Sequence, residues 1–417
     1  MDSVWVAAYL GLAAVATGLS LLVALQTWEH RRYARSCMRR LDRHQPQGRA
    51  ALIAPCKGID LDLEENLRAL FRQDYHDYEV TFVVESADDP ACEVIRRMMA
   101  EHPAVAARLV VAGRATESGQ KVHNLRAATA DLSAEIAYLA FVDSDARPRP
   151  EWLRVIIARL DRPGIGATTG YRWFIPQRPS LANYLLYSIN CGVTMLLGLR
   201  NQHWVWGGSW AIRREVFEAI ALREAWQGTL SDDLMASRLL ARAGLPTRFE
   251  PVAVVASPVD QPWRQTFAFL RRQYLVGRFY VPKWWALGLC GCTLTCLAWL
   301  GSLAAMLGSV LCNSPPWWLP LSACTALYLV GAFRGAVRQT LLRTYFPQQE
   351  SALRQARRFD IWAGPLVTLV NWVAMLSSMF GRHIRWRGLV YRLFPGGQLR
   401  RLGTVLPCTS CSGIRGS

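Results

Sequence analysis

Apolar stretches without a charged residue lie near the start of the chain and again in its second half. They comprise residues 4–25, 284–311, 317–333 and 361–380. About 20 apolar residues are enough for a helix to cross the hydrocarbon core of a bilayer. The pattern predicts a membrane anchor within residues 1–30 and a C-terminal membrane region over residues 284–393.

Arginines flank these stretches and indicate how the chain is oriented. They follow the first stretch at Arg31, Arg32, Arg35, Arg39, Arg40 and Arg43. A signal peptide carries its basic residues before the apolar part, whereas the cytoplasmic flanks of membrane helices are rich in Lys and Arg. We therefore expect an uncleaved anchor in a multi-pass membrane protein, with the next domain facing the cytosol. Arginines on both sides of residues 361–380 favour a re-entrant or interfacial segment there.

Between the membrane segments, residues 49–280 alternate between short apolar runs and helical stretches. The apolar runs are residues 50–54, 79–84, 108–112 and 136–142. Leu63, Leu67 and Leu70 recur at helical spacing after the first run. This alternation predicts an α/β domain with a largely parallel sheet. Ligands of such sheets bind beyond the carboxyl ends of the strands.

One uncharged stretch, residues 179–199, lies inside this domain. A membrane-spanning helix there would separate the acidic residues before it from those after it. Two alternatives remain. The first is an amphipathic helix in the membrane interface, near the entry of a lipid; the second is a buried helix of the core.

Composition and charge narrow the class of protein. Hydrophobic residues make up 52%, charged residues 19%, and the formal net charge is +17. The basic residues flank apolar segments instead of clustering on a polar surface, which argues against nucleic-acid binding. Transporters carry charges inside their spans, and these stretches have none. In the predicted tail, residues 394–417, Cys408 and Cys411 form a lone CxxC, too little for a zinc site.

Paired carboxylates follow the apolar run that ends at residue 142. Asp143 and Asp145 flank a single serine there. Carboxylates at a strand end can bind Mg²⁺ or Mn²⁺, which then neutralises a diphosphate leaving group. The alternative is a solvated turn.

A second acidic pair, Asp232 and Asp233, precedes a helical stretch and comes after the glycine-rich turn Trp206-Gly207-Gly208. Glycines let a substrate approach the backbone closely, so this turn is a candidate acceptor site. A carboxylate beside it can act as general base on a hydroxyl. Asp233 is the stronger candidate of the two, and helix capping is the alternative.

A third acidic cluster, Glu85, Asp88 and Asp89, follows the run 79–84. Carboxylates there can hydrogen-bond a base or a ribose. Because Pro90 comes next, a turn that starts a helix explains Asp89 equally well.

Basic and amide side chains elsewhere could contact phosphate. Arg271, Arg272 and Gln273 precede the C-terminal membrane region, and arginine forks suit a diphosphate; arginines that extend to the membrane interface are the alternative. Lys121 and Asn124 lie near a predicted helix start. For both residues, phosphate binding and a structural role are equally good interpretations.

These motifs, in this order, resemble the ceramide glucosyltransferase family over residues 49–393. The resemblance is carried by Pro55-Cys56-Lys57-Gly58-Ile59-Asp60, Glu64-Glu65-Asn66-Leu67, Gln73-Asp74-Tyr75, Tyr78-Glu79-Val80, Asp88-Asp89-Pro90, Lys121-Val122-His123-Asn124-Leu125, Asp143-Ser144-Asp145, Asp232-Asp233, Ile384-Arg385-Trp386-Arg387-Gly388 and Tyr391-Arg392.

The resemblance implies a glycosyltransferase-A (Rossmann-like) catalytic domain between membrane helices. It further implies inverting transfer of a hexose from a UDP-sugar, UDP-glucose first, to the hydroxyl of ceramide or a similar membrane lipid. In this reading Glu85, Asp88 and Asp89 hold uridine, Asp143 and Asp145 hold the metal-bound diphosphate, and Asp233 deprotonates the acceptor.

Two departures from the family pattern bear on specificity. Ser86 stands where the family has its first aspartate, and the Gln/Arg-x-x-Arg-Trp motif has become Leu270-Arg271-Arg272-Gln273-Tyr274. Another sugar, such as glucuronate or galactose, or another acceptor, such as a hopanoid, diacylglycerol or polyprenyl phosphate, is therefore the main alternative. A non-enzymatic membrane scaffold or transporter is the alternative of another class. The excess of arginine over lysine is typical of a GC-rich bacterial source, which predicts a bacterial inner membrane.

Overall fold

The computed structural model of the chain describes residues 3–40, 45–200, 202–311 and 318–404. Arg43 and the Cys408–Cys411 pair lie outside the described residues. The first part of the predicted tail, by contrast, is described and forms a strand.

Helices account for most of the described residues. They are α1 Ser3–Arg39, α2 Leu63–Leu70, α3 Ala91–Glu101, α4 Gln120–Ala128, α5 Trp152–Ala158, α6 Leu181–Thr194, α7 Arg214–Ala219, α8 Leu222–Ala225, α9 Asp232–Arg242, α10 Trp263–Tyr280, α11 Pro282–Leu311, α12 Trp318–Gln339, α13 Leu342–Tyr345, α14 Arg354–Trp362 and α15 Gly364–Ser377.

The strands form two sheets. They are β1 Arg49–Pro55, β2 Tyr78–Val84, β3 Ala106–Val111, β4 Ile136–Val142, β5 Ala167–Pro176, β6 Ser209–Arg213, β7 Thr247–Val259, β8 His383–Trp386, β9 Leu389–Leu393 and β10 Leu399–Thr404.

The large sheet has seven strands in the order β3-β2-β1-β4-β6-β5-β7. Strands β1 to β4 are parallel, and β6 runs antiparallel to both β4 and β5. The prediction of a largely parallel α/β sheet is confirmed, with β6 as the exception. Strands β1 and β4 are buried along almost their whole length, because helices cover both faces of the sheet.

Strand order places a crevice at one edge of this sheet. β1 pairs with β2 on one side and with β4 on the other. The connections after β1 and β4 therefore leave toward different neighbours, and a cleft opens beyond the carboxyl ends of these two strands. The loops after residues 55 and 142 line it.

The described residues contain three helices that are long and apolar enough to cross a membrane. They are Ala8–Arg39, Pro282–Leu311 and Trp318–Tyr345. The three helices pack together: Ala16, Ala298 and Leu327 share a small core, and the hydroxyls of Tyr9 and Ser302 lie 2.8 Å apart. The expectation of apolar membrane helices at both ends of the chain is thereby confirmed.

The segment predicted to be re-entrant or interfacial forms α14 and α15, which meet at an angle of 81°. This geometry fits either a re-entrant segment or one broken span. A buried ion pair braces the bend against α12, because Arg338 Nε donates to Asp360 Oδ2 at 2.9 Å. The exposed fraction of these two residues is 7% and 3%.

Helix α6 occupies the uncharged stretch for which two alternatives were open. Most of its residues are buried, including Leu185, Leu186 and Tyr187. It packs between β5 and the helices α10, α14 and α15. This burial favours the core-helix alternative over a helix lying free in the membrane interface.

The small sheet, β10-β9-β8, follows the membrane helices in sequence but packs on the catalytic side. Ile384, Leu389 and Leu393 from this sheet share a core with Leu230 and Leu275. The segment 383–404, which we call the C-terminal hairpin, therefore lies against α10 and against the loop before α9.

Candidate active site

A lysine joins the two main acidic motifs at the crevice. Lys121 Nζ lies 2.7 Å from Asp143 Oδ1 and 3.4 Å from Asp232 Oδ1. It also donates to the carbonyl oxygen of Gly207 at 3.2 Å. Helix α4 supplies the lysine, the end of β4 supplies Asp143, and α9 begins at Asp232. Carboxylates far apart in the sequence thus lie in one site.

Asp232 is the most deeply buried carboxylate of this cluster, with an exposed fraction of 4%. Its Oδ2 atom is buried without a hydrogen-bond partner. Burial raises the pKa of Asp232 to about 7, although Lys121 acts in the opposite direction. Burial alone would lower the pKa of Lys121, but Asp143 and Asp232 raise it overall. The lysine is therefore positively charged at neutral pH.

Asp233 accepts hydrogen bonds on both oxygens. Its Oδ2 accepts from the Gly207 amide at 3.0 Å, and its Oδ1 accepts from the Leu234 amide at 2.8 Å and from the Ser231 hydroxyl. The Ser231 hydroxyl also caps α9. Backbone and cap thus fix the carboxylate, while the residue remains partly open to the crevice.

The glycine turn is required by close packing. A Cβ at Gly207 would lie 2.6 Å from Asp232 Oδ2, and one at Gly208 would lie 2.3 Å from the Trp206 ring and 2.7 Å from Asp143 Oδ2. A side chain at either position would fill the space beside the carboxylates. The predicted turn Trp206-Gly207-Gly208 thus forms a wall of the site.

Asp145 faces the same crevice from the end of β4. Its Oδ2 lies 3.5 Å from Arg172 Nη1, and its Oδ1 is buried without a hydrogen-bond partner. Its side chain keeps 34% of its surface open to the crevice. The surrounding protein nevertheless displaces enough water to raise the pKa of Asp145, which Arg172 partly offsets.

Arginines and aromatic rings form the wall next to Asp145. The guanidinium of Arg172 lies 4.7 Å from the centre of the Trp206 ring. Arg272 lies 5.2 Å from the Phe269 ring and 5.4 Å from the Trp386 ring. Within the described part of the chain, Arg272 has no carboxylate at salt-bridge distance. Burial, with Arg172 nearby, lowers the pKa of Arg272 to about 10.

The two carboxylates after β4 fit a divalent cation that arrives with a diphosphate. Mg²⁺ is usually held by one or two carboxylates together with substrate phosphates. The unpartnered Oδ1 of Asp145 and the open side of Asp143 beside Gly208 provide such ligands. No group of three or more His, Cys, Asp or Glu in the described ranges is arranged to bind a metal without a substrate.

The third acidic cluster lies at the end of β2. Glu85 pairs with Lys57, and Asp89 Oδ1 accepts from the amides of Gly58 at 2.8 Å and Ala91 at 2.9 Å. Asp89 thus provides the turn and helix-start contacts that were its structural alternative. Asp88 is exposed to solvent.

The remaining predicted residues lie at the edge of this arrangement. Arg271 Nη2 donates to the carbonyl oxygen of Phe380 at 2.7 Å, and Gln273 is exposed. Asn124 is buried and accepts a hydrogen bond from Gln120 at 2.8 Å. Their assignment to the donor stays a prediction.

Three further residues take part in the site without having been selected from the sequence. Asp60 Oδ2 accepts from the Ser144 hydroxyl at 2.6 Å, Arg172 contacts Asp145, and Arg387 contacts Asp60. Asp60 and Arg387 belong to motifs that carry the family resemblance, which was the available signal. Arg172 lies in a strand and had none.

A largely parallel α/β domain with membrane helices, and carboxylates at the ends of its strands, fits a membrane-associated glycosyltransferase, and the match to a family model establishes that class. A family model described as "Glycosyl transferase family 21" matches residues 10–399. The chain belongs to glycosyl transferase family 21. The family recognised from the sequence and the predicted fold class, a glycosyltransferase-A domain with membrane helices, are both confirmed.

Similar proteins include ceramide glucosyltransferases from two organisms. Ceramide glucosyltransferases 3 and 1 of Caenorhabditis elegans are 36% and 33% identical over 75 residues, which cover 18% of this chain and 16% of each relative. The ceramide glucosyltransferase of Komagataella phaffii is 37% identical over 59 residues, 14% of this chain and 12% of that protein. The matched segments thus span less than a fifth of these relatives.

Solved structures with a similar course of the chain share little sequence with it. A mannosyltransferase from Pyrobaculum calidifontis, in complex with GDP-Man and Mn²⁺, has a TM-score of 0.48 at 19% identity, covering 85% of this chain and 99% of that one. TarS residues 1–349 from S. aureus, in complex with UDP, has a TM-score of 0.37 at 13% identity, covering 86% and 99%.

Proposed function

We propose that the protein transfers a hexose from a UDP-sugar, UDP-glucose first, to the hydroxyl of a membrane lipid such as ceramide. Inversion at the anomeric carbon would give a β-glycolipid. The observation that carries this proposal is the convergence of Asp143 and Asp232 on Lys121 at the crevice of the sheet, with Asp233 held beside them by the Gly207 amide.

The donor occupies the side of the crevice that Asp143 and Asp145 line. These carboxylates would hold Mg²⁺ or Mn²⁺, which would neutralise charge on the departing diphosphate. Lys121 and Arg272 add positive charge at the same end of the site. Arg272 suits this role because its guanidinium lies against aromatic rings and, among the described residues, forms no salt bridge with a carboxylate. Glu85, Asp88 and Asp89 lie at the end of β2, two strands from β4, and would hold the uridine.

The acceptor hydroxyl lies against the turn Trp206-Gly207-Gly208, where Asp233 can reach it. As the hydroxyl oxygen bonds to the anomeric carbon, its proton passes to Asp233 and the sugar–diphosphate bond breaks. The Gly207 amide holds the carboxylate in place for this step. Asp232 makes an ion pair with Lys121 and thereby holds the lysine beside Asp143.

Membrane attachment brings the lipid to this crevice. We infer that the apolar helices α1, α11 and α12 hold the catalytic domain at a bilayer. The arginines at the C-terminal end of α1 support a cytosolic orientation of this domain, and the excess of arginine over lysine supports a bacterial inner membrane. Helix α10 leads from the site directly to α11, so a lipid has a short path from the membrane.

Lipid analysis after expression in membranes tests the proposal. The membranes receive UDP-glucose, UDP-galactose or UDP-glucuronate with ceramide, diacylglycerol, hopanoid or polyprenyl phosphate, and mass spectrometry identifies new glycolipids. A β-hexosylceramide that is absent with Asp233→Asn and present with the exposed control Asp131→Asn supports the proposal.

The same assay separates the alternatives. Transfer to polyprenyl phosphate that survives Asp233→Asn removes the base role, because phosphate is already ionised. If no transfer occurs and the protein does not bind UDP, a non-enzymatic scaffold or transporter is the remaining alternative.

A further inference from the structure

The turn between β8 and β9 carries an arginine in a backbone conformation that disfavours it. Arg387 has φ 45° and the following Gly388 has φ 79°. Two-residue hairpin turns with two positive φ values favour Asn-Gly, and a left-handed residue other than glycine costs about 1 kcal/mol. The turn itself therefore does not explain why an arginine occupies this position.

The contacts of the arginine side chain do explain it. Arg387 Nη2 lies 2.8 Å from Asp60 Oδ1, and Nη1 donates to the carbonyl oxygen of Lys57. The other oxygen of Asp60 accepts from the Ser144 hydroxyl at 2.6 Å. Ser144 lies between Asp143 and Asp145 and is itself 5% exposed. A short chain of polar contacts thus runs from the C-terminal hairpin to the carboxylate turn.

A second contact links the same hairpin to the arginine side of the crevice. Trp386, the residue before Arg387, lies against the guanidinium of Arg272 at 5.4 Å from the ring centre. Adjacent residues of one turn thereby contact both the carboxylate side and the arginine side of the crevice.

The hairpin is anchored independently of Arg387. Tyr391 accepts a hydrogen bond from the Gln120 amide at 3.2 Å, and the Leu399 amide donates to Gly228 at 3.0 Å. Arg401 donates to the carbonyl oxygen of Ala115, and the core shared with α10 adds apolar contact. Replacement of Arg387 should therefore leave the hairpin in place.

We propose that Arg387 is a positioning residue for the donor: through Asp60 and Ser144 it holds the Asp143–Asp145 turn in the shape that binds the metal–diphosphate pair. This inference rests on the proposed function and deepens it. It makes the C-terminal hairpin, which follows the membrane helices in sequence, part of the donor site.

The test uses Arg387→Asn in the full chain, purified in detergent. Asn-Gly suits the turn better than Arg-Gly, so the melting temperature should stay equal or rise. Calorimetric affinity for UDP with Mn²⁺ should nevertheless fall about 10-fold or more, the usual effect of losing a residue that orients metal ligands. Arg385→Ala, on an exposed position of β8, is the matched control and should retain wild-type affinity.

A double-mutant cycle checks the path through Asp60. If Arg387 acts through this carboxylate, Asp60→Asn and Arg387→Asn should weaken UDP–Mn²⁺ binding by similar factors, and the double variant by little more than either. In transfer assays both should raise the KM for the UDP-sugar while kcat changes by less than about threefold.

The outcomes separate this inference from the proposed function. Unchanged UDP–Mn²⁺ affinity in Arg387→Asn, with normal lipid glycosylation by the wild type, overturns the inference alone. Weakened affinity in the variant, with no glycolipid formed by the wild type, overturns only the proposed function. A wild-type protein that does not bind UDP with Mn²⁺ overturns both.

Discussion

The ammonium nitrogen of Lys121 lies 2.7 Å from Oδ1 of Asp143, at the point where α4 meets the end of β4. Lys121 is also within 3.4 Å of Asp232, so one cation is shared by two acidic motifs. The site is consequently organised around a positive charge as well as around carboxylates.

Loss of this shared charge should damage both stability and activity. Lys121→Met leaves the buried Asp232 without its cation, a loss that costs about 3 kcal/mol in comparable buried pairs. We expect a lower melting temperature and a fall in sugar transfer of about 100-fold or more. Lys283→Met, on an exposed residue at the start of α11, is the control. Equal activity of the two variants would contradict the role of Lys121.

The buried Asp232 should make stability depend on pH. Its pKa of about 7 in the folded protein lies above its usual 3.8. Between these values the folded protein binds more protons than the unfolded chain, so stability falls as the pH rises. Asp232→Asn removes this dependence. The melting temperature of the variant minus that of the wild type should therefore increase from pH 5 to pH 8.

The control for this pH experiment is Asp88→Asn, on an exposed residue. Its melting temperature relative to wild type should differ little between pH 5 and pH 8. A difference as large as that of Asp232→Asn would show that the pH effect arises elsewhere.

Replacement of Asp145 should change how the rate of sugar transfer depends on the divalent metal. Chelation with EDTA should abolish transfer, and Mn²⁺ should restore it in the wild type. Because Asp145→Asn removes one negative ligand, we expect a rise of about 10-fold or more in the Mn²⁺ concentration that gives half-maximal rate. Asp131→Asn should respond to Mn²⁺ as the wild type does, and full activity of wild type in EDTA would refute a metal-bound diphosphate.

The close packing at Gly208 gives a steric test. Gly208→Ala places a Cβ 2.3 Å from the Trp206 ring and 2.7 Å from Asp143, so the ring or the carboxylate must move. Transfer should fall about 100-fold, since small displacements of reacting groups have large effects on rate. Gly277→Ala on α10 meets no atom within 4 Å and should be neutral or stabilise the helix by about 0.5–1 kcal/mol. Normal activity in Gly208→Ala would exclude this turn from the site.

The first half of the sheet could be predicted because its strands are parallel and β1, β2 and β4 are largely buried, while the edge strand β3 is partly exposed. Continuous apolar runs mark β1 to β4, and their observed bounds differ from the predicted ones by at most two residues. The antiparallel β6 and the strand β5 gave no such signal. β5 contains Gly170, Arg172 and Pro176, which interrupt any apolar run.

Local sequence patterns singled out residues at strand ends and helix starts, whereas contacts between distant parts of the chain left no local pattern. The catalytic and donor-binding roles of the selected residues stay predictions. Asp143 and the Asp232–Asp233 pair follow a strand and a glycine turn, and the structure brings them together. The sequence could not reveal which carboxylates Lys121 faces, because a lysine at a helix start is compatible with several partners. The Arg387–Asp60 contact joins positions 327 residues apart, which no local pattern records.

The position of the C-terminal hairpin in the chain has a consequence for biosynthesis. The ribosome makes residues 383–404 only after α11 and α12, so both helices are synthesised before the small sheet that packs against α10 and the loop before α9. The seven strands of the large sheet all precede α11, so the small sheet is the part of the fold that is added last. If Arg387 positions the donor carboxylates as proposed, binding of the donor requires a chain whose membrane helices have already been synthesised.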